Sequence, residues 1–470
     1  MSIPAVPTAA EPATAPADAA PTDAAASAAP TASAPQACPC CAATIDADPR
    51  FAVWCPACEW NLTPEATDAP APKTRRGAAD ARRRAAATAR ADQLFEDLAA
   101  GRTATGGQRA WLAAAAIATA VHLTTAALCA WGLWLLVTGN TPLRCLGALV
   151  LALVVLIRPR LGRAPRGEGV LTRAEAPALY GLADRVAAEL GTRPAGVIQV
   201  DTDFNASVWV AGPRRQTVLT LGLPLWEVLG EQDRVALLGH EFGHRVNGDH
   251  RRGLWLGTAI HALAHWHDLA RPRGHYRDAV GLRMLFQLTD LLLGVLLGGV
   301  ARLLCRVLLL LDRLTSRAGQ QAEYHADTLA TRVGSTEASR GLLRTLLLHR
   351  TAETAATRVR AELHSRPRAA RRGRTPDPAE RTSAPEAFWE RLRDHLASVP
   401  PLEHERLLRR SALERGAVDT THPPTHLRLA LLDRAPAVPA AVAMTPAEAA
   451  AIAAELAPHR VRVARTLLAG

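Results

Sequence analysis

Glu231-Gln232-Asp233-Arg234-Val235-Ala236-Leu237-Leu238-Gly239-His240-Glu241-Phe242-Gly243-His244 opens on acids and continues with apolar residues at helical spacing. That pattern predicts an amphipathic helix whose N-terminal turn lies at Glu231. Residues four apart on a helix share one face, so His240 and His244 can both reach a single ion. Two imidazoles suit zinc, and a water on zinc loses its proton near neutral pH. Glu241, next to the first histidine, is placed to take that proton and later pass it to a leaving amine. The HExxH letters alone also arise by chance in unrelated helices, where the histidines are merely polar neighbours.

A catalytic zinc of this kind takes two histidines and one carboxylate and leaves a position for water. Glu323-Tyr324-His325-Ala326-Asp327 stands downstream, followed by the helix-compatible Thr328-Leu329-Ala330. Glu323 and Asp327 are four apart, so one can bind metal while the other accepts a hydrogen bond from a ligand imidazole and fixes its tautomer. On an ordinary helix two such acids form a solvated face. After an HExxH they read as metal chemistry.

HEFGH, EYHAD and Thr421-His422-Pro423-Pro424, in that order, resemble the membrane-associated gluzincin metallopeptidases of the HtpX and CAAX prenyl endopeptidase type. The resemblance spans residues 165 to 435. It implies His240, His244 and Glu323 as ligands of a catalytic zinc, with Glu241 as general base. It further implies that Asn205 and Ala206 lie on the edge strand that holds substrate backbone. His422 and Arg428 match the family's late pair near the scissile carbonyl, where they would donate to the developing oxyanion. The bland reading of His422 is a turn residue before Pro423.

Around the motif helix, Gly196–Val200, Ala206–Val210 and Thr217–Leu221 are short β-rich runs, split by Asp201-Thr202-Asp203 and by Gly212-Pro213-Arg214-Arg215. Arg173 to Leu190 reads as an amphipathic helix ending at Gly191. The expected fold class is an α+β zincin-like metallopeptidase domain, mostly helical with a small sheet. Substrates of such enzymes lie extended along a sheet edge and pair through the main chain. Peptide, or an extended segment of a membrane protein, is the expected substrate.

Trp111 to Val137 is almost uninterrupted apolar sequence, long enough to cross a bilayer core of roughly 30 Å. Leu143 to Ile157 follows after a short turn, and together the two runs read as a transmembrane hairpin. Both flanks carry arginine: Arg75, Arg76, Arg82, Arg83, Arg84 and Arg90 before, Arg158, Arg160 and Arg163 after. Lys and Arg stay cytoplasmic, which predicts a multi-pass cell-membrane protein with its N-terminus and peptidase domain facing the cytoplasm. Leu285 to Leu311, between the HExxH and Glu323, forms a helical insert with the weaker run Leu254 to Leu269. Arg302 and Arg306 are costly in lipid, so packing on the domain or grazing the membrane is favoured over full crossing. His261 and His265 have ligand spacing but no third ligand in view.

Cys38-Pro39-Cys40-Cys41 and Cys55-Pro56-Ala57-Cys58 supply Cys38, Cys41, Cys55 and Cys58 as a pair of C-x-x-C pairs, the lettering of a structural zinc ribbon. Cys40 is an extra thiol. Paired thiols in a cytosolic segment favour metal over a disulfide. The expected cofactors are thus one catalytic and one structural Zn2+.

The chain has 470 residues and a net charge of +11, almost wholly from arginine, Lys73 being its only lysine. The arginines cluster beside the apolar runs and between Arg366 and Arg374, so anionic lipid explains them more simply than nucleic acid, which is not an expected partner. The organisation expected from these readings is a disordered Ala/Pro-rich tail (1–37), the ribbon (38–60), a basic linker (61–109) and the transmembrane hairpin (110–158). The peptidase domain (165–435) follows, with its insert at 253–315, and then a C-terminal helix (436–470). The function implied is a membrane-anchored zinc endopeptidase in membrane-protein quality control. CAAX-type processing and a non-catalytic adaptor built on the ribbon stand as alternatives.

Because Arg-rich flanks bracket the hairpin, reporters fused to the N- and C-terminus should both read out on the cytosolic side. Opposite readouts from the two ends would contradict an even number of crossings.

Overall fold

The computed structural model describes residues 35–64, 75–102, 107–158, 162–212, 215–246, 249–271, 283–365, 378–413 and 422–469. Nearly all of the expected tail, the 366–374 arginine segment, and Arg273 and Arg277 of the insert loop lie outside them. The chain divides into two units, Met1–Asn61 and Leu62–Gly470.

In the first unit, β1 (Gln36–Ala37) and β2 (Thr44–Ile45) form a short antiparallel pair with Gln36 opposite Ile45. Ile45 and Trp54 are fully buried beneath the two cysteine turns. A segment this small cannot stabilise itself on such a core alone, which is why a metal staple is expected there.

The second unit begins with α1 (Arg75–Ala99), α2 (Gly107–Thr138) and α3 (Thr141–Ile157). The 61–109 stretch, expected as a basic linker, is mostly the helix α1. Its Ala91, Leu94 and Phe95 are buried in one cluster with Tyr324 and Leu427. An ion pair of 3.1 Å joins Asp97 to Arg317, and the Arg434 guanidinium lies over the Phe95 ring at 4.7 Å. The Ala/Arg composition hid this face, because only a few large apolar residues carry it.

β3 (Val170–Leu171), α4 (Pro177–Glu189), β4 (Val197–Asp201), β5 (Ala206–Ala211) and β6 (Gln216–Gly222) come next. The sheet order is β3-β4-β6-β5, with β4 parallel to β6 and the other pairs antiparallel. β6 is central and almost wholly buried, while β5 is an edge, as the resemblance implied. The buried Tyr180 hydroxyl donates to Leu171 O and accepts from Ile198 N, stitching α4 to the sheet at 2.8 and 2.9 Å.

After α5 (Leu223–Val228) comes the motif helix α6 (Glu231–Val246), then α7 (Asp249–Ala270) and the single 52-residue helix α8 (Arg283–Gly334). α8 therefore runs without a break from the insert into the Glu323 motif, across the boundary expected at 315. The layer is completed by α9 (Thr336–Leu347), α10 (His349–Ser365), α11 (Pro378–Ala397), α12 (Pro401–Leu413), α13 (Thr425–Arg434) and α14 (Pro446–Ala469). α14 is part of the domain: its Glu455 carboxylate accepts from Ala178 N and Leu179 N at the start of α4, at 2.7 and 3.0 Å. Those amides have no partner inside their own helix.

α2, α7 and the first part of α8 pack around Ala114, Ala118, Ala259, Ala262 and Leu263, all buried, while α3 pairs with α2. A Cβ on Gly147 would lie 2.8 Å from Gly132 O, so the hairpin closes backbone to backbone. The outside of this bundle is apolar: Leu123, Trp134, Val137, Leu149, Val295 and Leu303 are each half or more exposed. α2 and the part of α8 from Gly294 are long and apolar enough to cross a membrane, and α3 is a shorter apolar helix. The insert helices do not simply lie against the peptidase core; α7 shares its packing with α2.

If α1 is part of the fold, Leu94→Ala should cost about 3 kcal/mol of stability, whereas Arg90→Ala, at an exposed position, should change it by less than about 0.5 kcal/mol. Denaturant unfolding of the two variants separates a packed helix from a linker, for which both would be neutral.

Candidate active site

α6 carries His240, Glu241 and His244, and α8 carries Glu323 and Asp327. What lets them meet is the absence of side chains between the helices. A Cβ on Gly239 would stand 3.1 Å from Ala330 Cα, and one on Gly243 the same distance from Ala326 Cα. At the far end a Cβ on Gly334 would meet Ala236 N at 2.7 Å. Glycine and alanine at four-residue spacing thus set the two backbones close enough for short side chains to converge.

His240 Nε2 and His244 Nε2 are 3.2 Å apart, and each is 3.5 Å from a Glu323 oxygen. A tetrahedral ion with bonds of about 2.0–2.1 Å has ligand–ligand edges of about 3.3 Å, so the three donors fit zinc. Two further observations support the fit. Glu323 Oε2 is buried without a hydrogen-bond partner. His240 Nδ1 lies 3.1 Å from Asp327 Oδ1, so a proton on Nδ1 can be given to that carboxylate, which would leave the Nε2 lone pair for metal. Glu323 thus lies toward the histidine Nε2 atoms, where it could hold a metal with them, and Asp327 lies toward His240 Nδ1.

Arg428, on α13, is 5 % exposed and grips Asp327 with two bonds, Nε to Oδ2 at 2.7 Å and Nη2 to Oδ1 at 2.6 Å. The sequence reading gave Arg428 to the oxyanion; the structure instead commits its guanidinium to Asp327. A buried carboxylate needs that compensation. His422 sits half exposed at the rim, with Nδ1 2.9 Å from Glu323 Oε1. It touches the ligand carboxylate and remains at the open side of the site. Asn205, just before β5, is exposed and its O accepts from Gly222 N at 2.8 Å, while Ala206, the first residue of β5, is buried. The same strand reaches the site through Val208, whose backbone hydrogen-bonds Glu241.

The charges are ordered. Burial, with Glu323 nearby, raises the Glu241 carboxyl to about 7. Burial lowers His244 to about 4, with His240 adding to the effect. For His240 burial acts downward, but the neighbouring Asp327 and Glu323 carboxylates outweigh it and lift the ring to about 9. Burial raises Glu323 and Asp327, yet His240 and His422 hold the first, and Arg428 the second, below the usual carboxylate range.

The model of peptidase family M48 matches residues 174–435, more than half of the chain. The chain belongs to that family and is a metallopeptidase. No curated protein and no solved structure matches it. The M48 domain contains every residue of the His240–His244–Glu323 cluster together with Asp327 and Arg428.

The N-terminal unit holds the second cluster, Cys38, Cys41, Cys55 and Cys58. Cys38 Sγ and Cys58 Sγ are 3.7 Å apart, and Cys41 Sγ and Cys55 Sγ 3.6 Å. Four thiolates about 2.3 Å from one zinc would stand about 3.8 Å apart, and the four thiols are free of disulfides. Burial would raise the Cys55 thiol, but the backbone amides of Cys58 and Ala57 overcome it and bring it down to about 7. Cys40 is exposed and outside the cluster.

Sequence reasoning missed Gly239, Gly243 and Gly334, and did not foresee the pairing of Arg428 with Asp327. The Gly239-x-x-x-Gly243 and Ala326-x-x-x-Ala330 spacings were a usable signal. The Arg428–Asp327 pair, a hundred residues apart, had none.

Arg428→Met should leave the three ligand positions in place but weaken zinc binding about 10- to 100-fold, as loss of an orienting partner does. Titration with a competing chelator measures it. Cys55→Ala with Cys58→Ala should lower the zinc content of purified protein from two per chain to one. Loss of both metals in that variant would contradict independent sites.

Proposed function

We propose that this M48 metallopeptidase is a membrane-anchored zinc endopeptidase that cleaves extended peptide segments in the quality control of membrane proteins. The observation that carries the catalytic part is the Glu241 carboxyl, buried beside three converging ligands and bonded to the backbone of the edge strand. Zinc held by His240, His244 and Glu323 supplies Lewis-acid polarisation of a carbonyl and a water acidic enough to ionise near neutral pH.

The protein groups supply the rest. Glu241 accepts a proton at its carboxylate and returns one to the leaving amine; a basicity near neutrality serves both steps. Asp327 and Arg428 hold the His240 ring against rotation, so the ligand geometry survives each turnover. The exposed edge of β5 offers main-chain donors and acceptors to an extended substrate, which favours unstructured segments and gives an endopeptidase no need of a free terminus. Ala206, at the start of β5, would pair with a residue on one side of the scissile bond, with the exposed Asn205 side chain just before it. His422, at the open side, is positioned to donate to the carbonyl oxygen as negative charge develops.

The anchor rests on the inverted packing of the helical bundle, with small residues inside and large apolar ones outside, the arrangement expected in lipid. The hairpin of α2 and α3 crosses the membrane and α7 packs along it, leaving the M48 domain and the ribbon on the cytoplasmic side with the arginine-rich flanks. A CAAX-type substrate would be a particular case of the same extended binding.

Glu241→Gln keeps the size of the side chain and removes its basicity. It should retain two zinc ions per chain and lose peptide cleavage by about a hundredfold or more. His422→Ala should also keep metal, with a loss of about ten- to a thousandfold concentrated in kcat. Full complementation of a null strain by the Glu241→Gln protein would end the peptidase reading and leave an adaptor.

A further inference from the structure

Two parts of the chain fix how far the catalytic cluster stands from the apolar bundle. The first is α8, which carries Glu323 and runs unbroken into the bundle. Leu303, Leu309 and Leu310 are its last large apolar side chains to face outward, and Leu311 is buried against α2 and α7. Arg302 and Arg306 are exposed among them, and arginine stems reach back to the headgroups. The lipid boundary on α8 therefore falls between Arg306 and Arg313, the next exposed charge. At about 1.5 Å per residue, the helix rises about 15 to 25 Å from there to Glu323.

The second part is the exit of α3. Trp266 Nε1 donates to Ile157 O at 2.7 Å, which holds that end of α3 against α7. Gly162 O then accepts from Gly212 N at 2.7 Å, just past the C-terminal end of β5. The Trp209 ring closes over this joint, since a Cβ on Gly162 would lie 2.9 Å from it. The backbone between Arg158 and Gly162 reaches no more than about 14 Å. β5 therefore turns its C-terminal end toward the foot of α3 and its start, Ala206, away from it. Val208, whose backbone hydrogen-bonds Glu241, lies about 13 Å along the strand from Gly212.

We infer that the substrates are membrane-anchored chains cut in the extended segment beside their own span, with the scissile bond about five to eight residues from the lipid boundary. An extended chain covers about 3.3 Å per residue. The rise of α8 then corresponds to about five to eight residues, and the path along β5 and down to Arg158 sets about eight as the upper limit. A shorter segment stops short of Glu241. A much longer one reaches it, but at a lower effective concentration. Main-chain pairing along β5 reads little of the substrate's sequence, so distance from the bilayer supplies the selection. The inference rests on the membrane-anchored endopeptidase reading.

The test places full-length, zinc-loaded protein in phosphatidylcholine vesicles with anchored substrates of graded reach. Each substrate has one transmembrane helix, a Gly/Ser linker of about 2, 7, 20 or 40 residues, and one unstructured peptide chosen from a random mixture for cleavage in free form. One series puts the helix before the peptide and a second puts it after, and Glu241→Gln protein gives the background. In at least one series the rate at equal surface density should peak at about 7 residues. It should be at least about tenfold lower at 2, about fivefold lower at 20 and about tenfold lower at 40. A flat profile in both series, a peak at the longer linkers, or equal rates at 2 and 7 overturns the distance rule, while cleavage of the free peptide still upholds the peptidase. Protein that cleaves neither the mixture nor any anchored substrate brings down the peptidase reading and this inference together. Flotation of the protein with the vesicles checks the anchor separately, and protein that stays in solution refutes both the anchor and the rule built on it.

Discussion

The close approach of α6 and α8 is the constraint on which the rest depends. His and Glu side chains are short, and two helices at an ordinary separation of 8–10 Å would leave their donors too far apart to share one ion. Gly239, Gly243, Ala326 and Ala330 remove the obstruction, and Gly334 extends the contact to Ala236. The HEFGH motif therefore carries two messages in one helical repeat. Its histidines and glutamate face the chemistry, and its glycine, with Gly239 one turn earlier, faces the partner helix. A bulkier residue at either glycine would widen the gap by displacing the backbone of α8 itself, since the nearest atoms belong to Ala326 and Ala330 Cα.

Behind the ligands stands a relay of decreasing freedom. His240 is held by Asp327, Asp327 by Arg428, and the helices bearing Tyr324 and Leu427 by the buried face of α1. Each step replaces a costly buried charge with a directed hydrogen bond, so the polarity of the site becomes rigidity. His244 lacks such a backing in the described contacts and is the more exposed of the two histidines, at 26 % against 8 % of the side chain. The site is thus braced on the α8 side, and its more exposed groups are His244 and His422.

The same economy of small residues recurs in the apolar bundle, where alanines line the interior and leucines and tryptophans the exterior. In water this distribution would expose a large apolar surface; in lipid it allows close backbone packing without such a penalty. The continuity of α8 links that bundle mechanically to Glu323, because the two lie on one helix with no hinge in the described residues.

Much of the chemistry was legible in the letters. Helical periodicity places His240 and His244 on one face, strand alternation finds β4, β5 and β6, and paired C-x-x-C turns announce the thiolate cluster. These are local patterns, and local backbone geometry enforces them. The tertiary structure decided what depends on distant segments. Arg428 pairs with Asp327 because a buried carboxylate needs a charged partner, and α13 brings one to it. The 61–109 stretch is a packed helix because three apolar residues find Tyr324 and Leu427, a pairing that no window of sequence contains. The choice of Glu323 over Asp327 as ligand turns on which carboxylate lies toward Nε2 and which toward Nδ1. That is set by how α8 lies against α6, and only the fold could supply it.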